Sequence, residues 1–276
     1  MRIVTNREAT WVGKCIYCSS EIGRLGEEHV SPFGLNGCIV LTGASCRECE
    51  RITCRIENHV LRHMWGPARA QLGYRTRDRG RSKRLYPLTV VKDGQRTERK
   101  VLLSDTLRVI ELPIFAPPAA LSGRAYTEGI ISESKDSFVF EESKESLARR
   151  LGVDEVCPPR IDLQTFARFV GKVSYGYAID RYGLDAFENV YLRPAILGTK
   201  DDIGMWVGSP PNRELPVRAT PMSGGFKILP NNDVVVRIKL FPRLDGAEYV
   251  TVVGKMKSFH ADQYRLLRKG SEAAAA

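Results

Sequence analysis

Two cysteine pairs, Cys15-Ile-Tyr-Cys18 and Cys46-Arg-Glu-Cys49, constrain this chain more than any other feature. A C-x2-C pair puts two thiolates on one tight turn, and two such turns complete a tetrahedral S4 site with metal–sulfur bonds of about 2.3 Å. One pair alone would read equally well as a redox dithiol. Two pairs separated by 27 residues point to one structural zinc. Four thiolates close the coordination sphere, so the ion is a scaffold and leaves no open position for a substrate.

The other cysteines fit a reducing compartment. Six of the seven lie between Cys15 and Cys54, and only Cys157 is remote. The N-terminal MRIVTNREAT carries no apolar stretch that would act as an export signal. No apolar run approaches the roughly 18 residues of a membrane span. Clustered cysteines in such a chain hold metal more often than they form disulfides, and the expected location is cytoplasmic. Cys38 and Cys54 are expected to be small buried hydrophobes.

Charge adds a direction. The formal net charge is +10, and residues 1–85 hold 15 Lys and Arg against 8 Asp and Glu, compared with 27 against 24 in the remainder. A basic N-terminal third suits a polyanionic partner, nucleic acid first. Residues 69–84, RAQLGYRTRDRGRSKR, hold seven basic residues and one acid, Asp78. Their glycines and arginines make a poor helix, so the stretch reads as an extended arm after a loop opened by Gly66-Pro67. Arg62, Arg69, Arg75, Arg77, Arg79, Arg81, Lys83 and Arg84 are the candidate nucleic-acid contacts.

Between the cysteine pairs runs Glu27-Glu28-His29-Val30-Ser31-Pro32, then a glycine-bearing turn at 34–37 and an apolar CIVL (38–41). After the second pair comes an evident helix, ECERITCRIENHVLRHM, ending before Gly66-Pro67. The order is knuckle, strand with an acid and a histidine, turn, strand, knuckle, helix. That is a ββα finger.

Beyond residue 85 the pattern turns to strands. LTVV and RKVLLS flank Asp93-Gly94, a pair that favours the positive φ of tight hairpins. RVIELPIF (108–115) is another strand, and DVVVRIKLF and AEYVTVVG bracket a longer-looped hairpin at Asp245-Gly246. Leu163, Phe166, Val170, Val173 and Tyr177 recur at helical spacing with Gly183 as a stop, a core stripe rather than a cofactor box. The final GSEAAAA reads as frayed. The expected organisation is two modules, 1–85 and 86–276, in an α+β fold. The role of the second module is not readable from its sequence.

The N-terminal pattern resembles the zinc-stapled HNH endonucleases of the ββα-metal fold. The resemblance rests on C-x2-C, Glu-His-Val-x-Pro and C-x2-C-Glu opening a helix, and it covers roughly residues 12–84. It implies a DNA endonuclease, with RNA not excluded, in which His29 is the general base. It places Glu28 and Glu50 on a catalytic Mg²⁺ or Mn²⁺, with Glu57 a further candidate two turns along the same helical face. Members often carry an Asn before the second knuckle to orient the base; this chain reads LTGAS there, and Asn36 sits earlier. The residue types suit the chemistry on their own terms. Phosphodiester hydrolysis needs a base and a cation, and an ordinary imidazole, pKa about 6.5, is partly neutral at cellular pH. The main alternative is a zinc-stabilised nucleic-acid binder whose site no longer cleaves, and a thiol redox protein is a third. His59 and His63, at i,i+4, read as a metal-binding pair or as cations at a helix C-terminus.

Overall fold

The computed structural model describes residues 9–76, 85–126, 128–212 and 222–273, with side chains omitted at 222–224 and 267–273. Strand β1 (Thr10–Trp11) precedes β2 (Leu25–His29) and β3 (Val40–Cys46). β3 is central, pairing parallel to β1 and antiparallel to β2. It begins two residues later than CIVL suggests and runs straight into Cys46, so LTGAS is strand. Helix α1 (Arg47–Asn58) follows at once, with Cys46 as its N-cap. Its buried stripe is Cys49, Thr53 and Ile56, the 3.6-residue period of an amphipathic helix.

The helix does not simply stop before Gly66. A π-helical turn (His59–Met64) extends it, and after Trp65 the short α2 (Gly66–Gln71) begins with Pro67 in its first turn. Proline has no N–H to contribute there and its φ suits helix entry. The expected loop at Gly66-Pro67 is therefore a helix start. Arg69, expected in an extended arm, lies within α2.

After residue 85 come β4 (Tyr86–Lys92) and β5 (Gln95–Val101), joined by Asp93 and Gly94 at φ 52° and 73°. Both positive angles are what a two-residue hairpin loop requires. Next are β6 (Val109–Phe115), α3 (Ala119–Ser122), β7 (Ser132–Val139), α4 (Lys144–Leu151) and β8 (Glu155–Cys157). β8 joins the hairpin in a sheet ordered β5-β4-β8, and β6 pairs with β7.

Helix α5 (Leu163–Tyr182) is the longest element. Asp162 caps it, accepting the Thr165 N–H at 2.9 Å, and Gly183 ends it. Twelve of its residues are buried, nearly all round the middle turns, because other elements pack on several sides of it. The remaining elements are β9 (Phe187–Val190), α6 (Leu192–Leu197), α7 (Ile203–Trp206), β10 (Val207–Gly208), β11 (Met222–Ile228), β12 (Asp233–Leu240), β13 (Glu248–Met256) and α8 (Ser258–Ala273). The antiparallel sheet β10-β13-β12-β11, with β9 added beside β13, packs on α5. Helix α8 runs through Ala273, so the tail expected to fray is helical over 270–273.

The architecture is mixed helix and sheet, of α+β type. One apolar core takes Ile16, Leu41, Val60 and Trp65 from the N-terminal third together with Phe166, Val170, Leu240 and Tyr249. The expected 85/86 boundary thus runs through a shared core. Trp65 is at its centre, edge-on to Phe166, Phe169 and Phe241, with Nε1 donating to the Glu111 carbonyl at 3.2 Å. Leu88, Val90, Val109, Leu147 and Val156 form a second, smaller cluster. Among the described residues, no helix is long and apolar enough to cross a membrane.

Candidate functional site

The first cysteine pair sits on a tight turn. The Ser19 N–H reaches the Cys15 carbonyl at 2.8 Å, and Ser19 itself is left-handed at φ 63°. The second pair opens α1. Together these turns bring the sulfurs of Cys15, Cys18, Cys46 and Cys49 within 4.8 Å of one another, with Cys18 and Cys46 at 3.6 Å. A tetrahedral ion bound to sulfur at about 2.3 Å requires sulfurs about 3.8 Å apart. The four thiols can hold a metal ion, and their soft donor set and spacing suit zinc.

The later part of the chain buttresses this centre. The Ile16 carbonyl, inside the first pair, accepts from the Tyr175 hydroxyl at 2.5 Å and from Arg193 Nε at 2.7 Å. Arg193 also donates to Ser19 Oγ at 3.1 Å. Burial pushes the Tyr175 hydroxyl pKa up, and Arg193 pulls the other way without cancelling it, so this donor stays protonated.

Glu28 and His29 are neighbours on β2, and their side chains leave on opposite faces. Glu28 points inward and is only 4% exposed; His29 is half-buried and lines a cleft. Opposite Glu28 is a group that sequence reasoning missed. Lys172, on α5 and 2% exposed, places Nζ 2.5 Å from Glu28 Oε1 and 2.6 Å from Glu57 Oε1. The same ammonium donates to the His29 carbonyl at 2.9 Å. An ammonium has three N–H donors, and each finds an oxygen here.

Burial by itself would lower the Lys172 pKa, but Glu28 and Glu57 outweigh it and hold the ammonium above the ordinary lysine value. Burial also pushes the Glu28 carboxyl up, against the pull of Lys172. Tyr17, buried beside Glu28, has its hydroxyl raised by burial and by that carboxylate. The cluster is sealed, and only the edge of Glu57 reaches the cleft.

Glu50 does not join it. Glu50 is exposed, and one of its carboxylate oxygens would lie 3.5 Å from a Cβ on Gly26. Among the described residues, the four cysteines are the group of three or more potential ligands gathered within 4.8 Å; Glu28, Glu50 and Glu57 form no such set. A divalent ion does not fit these carboxylates as they stand, because an ammonium occupies the space between the two that meet.

The cleft beside this cluster has a volume of about 600 Å³. His29, Phe33, Cys54 and Glu57 line it, and Arg62, His63, Arg75 and Lys100 add positive or titratable groups. Thr76 and Leu85, which flank residues 77–84 in the chain, line it too. The expected contacts Arg77, Arg79, Arg81, Lys83 and Arg84 lie outside the described residues. Arg75 is exposed, its guanidinium 5.7 Å from the Phe33 ring centre, and its backbone N–H bonds to Asn36 Oδ1 at 3.0 Å. Asn36 thereby ties two loops at the cleft.

Arg69 is spent on the fold. Its guanidinium donates to the carbonyls of Gly34 (2.8 Å), Leu61 (2.6 Å) and Arg75 (3.1 Å). Arg69, one of the expected nucleic-acid contacts, also lines the cleft, with its guanidinium engaged by these carbonyls. Cys38 and Cys54 are exposed rather than buried; Cys54 falls off the Cys49–Thr53–Ile56 stripe. His59 and His63 lie side by side within the π-helical turn, their rings tilted with centres 5.5 Å apart, and no third ligand among the described residues gathers with them within 4.8 Å. Lys100 and Lys172 lie outside the finger. The one sequence signal for Lys172 is a lysine in the middle of an apolar helix, since lysines are almost never fully buried unless paired.

Comparison of the chain with protein-family models, with curated proteins and with solved structures returned no match.

Proposed function

We propose that the protein is a zinc-stapled endonuclease that hydrolyses DNA phosphodiester bonds in the cleft, with His29 as the general base. The observation that carries this reading is the company His29 keeps: it lines one cleft together with four cations, Arg62, Arg69, Arg75 and Lys100, against two acids, Glu57 and Glu98. The cations would neutralise the phosphates of a bound strand. The neutral imidazole would take a proton from water as the water oxygen attacks phosphorus. The bond from phosphorus to the leaving sugar oxygen then breaks, and solvent protonates that oxygen. Zinc on Cys15, Cys18, Cys46 and Cys49 would fasten the first-pair turn to the junction of β3 and α1 and take no part in the step. DNA rather than RNA follows from the family resemblance. The expected Mg²⁺ enters no step, because Lys172 engages two of the carboxylates assigned to it, Glu28 and Glu57, and the third, Glu50, is exposed and does not gather with them.

A second reading has its own support. Glu28 sealed against Lys172 and Glu50 turned outward favour a zinc-stabilised nucleic-acid binder that does not cleave. Nicking of supercoiled plasmid, measured beside binding of the same DNA, separates the two. Cleavage abolished by His29→Ala with binding retained supports the hydrolase. Binding without cleavage supports the binder.

A further inference from the structure

We infer that the Lys172 ammonium is the resident cation of the Glu28–Glu57 site and takes the place a divalent metal ion would need. The ion pair stands on contacts alone; its bearing on cleavage rests on the hydrolase reading above.

The site is built for this charge. Lys172 comes from a helix far along the chain, yet all three of its donors meet oxygen within 2.9 Å. Gly176, one turn further along the same face of α5, makes the approach possible. A Cβ there would lie 3.2 Å from the Cα of Val30, the residue just after β2. Taking an ammonium and two carboxyls out of water costs several kcal/mol per ion unless the partners are well placed. Here a ring of three acceptors offsets that cost.

The geometry also makes the ammonium and a metal ion mutually exclusive. Mg²⁺ sits about 2.0–2.1 Å from its oxygen ligands and demands near-octahedral room. Lys172 Nζ lies 2.5 Å and 2.6 Å from the same two carboxylates. A divalent ion could enter only by driving a positive charge out of a pocket in which it is 2% exposed. Removing that charge without filling its hydrogen-bonding positions leaves two carboxylates facing one gap, which is a hard-oxygen cation site.

The test is a Mn²⁺ titration of the full-length, zinc-loaded protein, with free Mn²⁺ followed by electron paramagnetic resonance. Wild type should bind no Mn²⁺ that Glu57→Gln removes, and Lys172→Met should gain a site at least tenfold tighter than anything in wild type. A Mn²⁺ site in wild type that is lost in Glu57→Gln would overturn the inference, and this comparison decides the matter even if Lys172→Met does not fold. A folded Lys172→Met that takes up no more Mn²⁺ than wild type would overturn it as well. None of these readouts depends on cleavage, so a failure of the hydrolase reading leaves the test intact.

Discussion

The Nζ of Lys172 lies 2.6 Å from Oε1 of Glu57, tying the helix that follows the second cysteine pair to the central helix α5. This contact, with its partner at Glu28, joins the cysteine-bearing third to the remainder across their shared core. Replacing Lys172 by Met should therefore destabilise strongly, by about 3–5 kcal/mol, since it leaves buried carboxyls without their cation.

The same variant should acquire a distinctive pH dependence. The Glu28 carboxyl is already pushed up by burial in the wild type, with Lys172 pulling it back. Without the ammonium it rises further, and the folded state holds more protons than the unfolded one. Stability is then fully present below the ordinary carboxylate pKa and is lost as pH rises through the raised folded value. Urea unfolding of Lys172→Met should give lower stability at pH 7 than at pH 5. In wild type, Lys172 acts in a much higher window: its stabilisation persists below the ordinary lysine pKa and fades only as pH climbs through the raised folded value. An equal loss in Lys172→Met at both pH values would contradict this picture.

Removal of the metal should be felt throughout the core. Structural zinc sites bind with about 10–16 kcal/mol at neutral pH, on the scale of a domain's whole stability. Cys18→Ser should lose the ion. Because Tyr175 and Arg193 brace the first knuckle, thermal unfolding should shift as one transition rather than release a separate N-terminal piece. Cys157, remote on β8, should tolerate Ser with the metal content unchanged. Metal analysis finding no zinc in freshly purified wild type would end the zinc assignment.

Cleft cations and fold cations should part company in binding assays. Neutralising Arg62, Arg75 and Lys100 together should weaken DNA binding for every sequence. It should also reduce the slope of log K against log salt by about 3, at roughly 0.9 for each phosphate no longer neutralised. Arg69→Ala should instead lower stability, because its guanidinium holds the Gly34, Leu61 and Arg75 carbonyls. A salt slope unchanged in the triple variant would show that the cleft is not where DNA lies.

What is legible in the sequence is local. The cysteine spacing dictates four thiols gathered in one place, Asp93-Gly94 dictates a hairpin loop, and the period from Leu163 to Tyr177 dictates a helix. The structure has all three. The strand that carries Glu28 and His29 is readable in the same way. The cation is not, because Lys172 meets Glu28 only through tertiary packing that no local pattern encodes. Glu50 and Glu57 show the same limit. They share a helical stripe by period, but only Glu57 lies far enough along α1 to meet α5. Arg69 departs from its expected place because a glycine- and arginine-rich stretch resembles a linker, although Pro67 two residues earlier is a good helix-starting residue.

His29 is the pivot of the proposed reaction, and the most direct measurement is nicking of supercoiled plasmid by zinc-loaded wild type and His29→Ala, with DNA binding recorded for both. The substitution leaves the four cysteines and the cleft cations in place, so the variant should fold, keep its zinc and bind DNA as wild type does. Wild type should nick the plasmid, and His29→Ala should lose at least the roughly 10²-fold typical of a general base. Equal nicking by both proteins, or binding without nicking by wild type, would contradict the proposed role of His29.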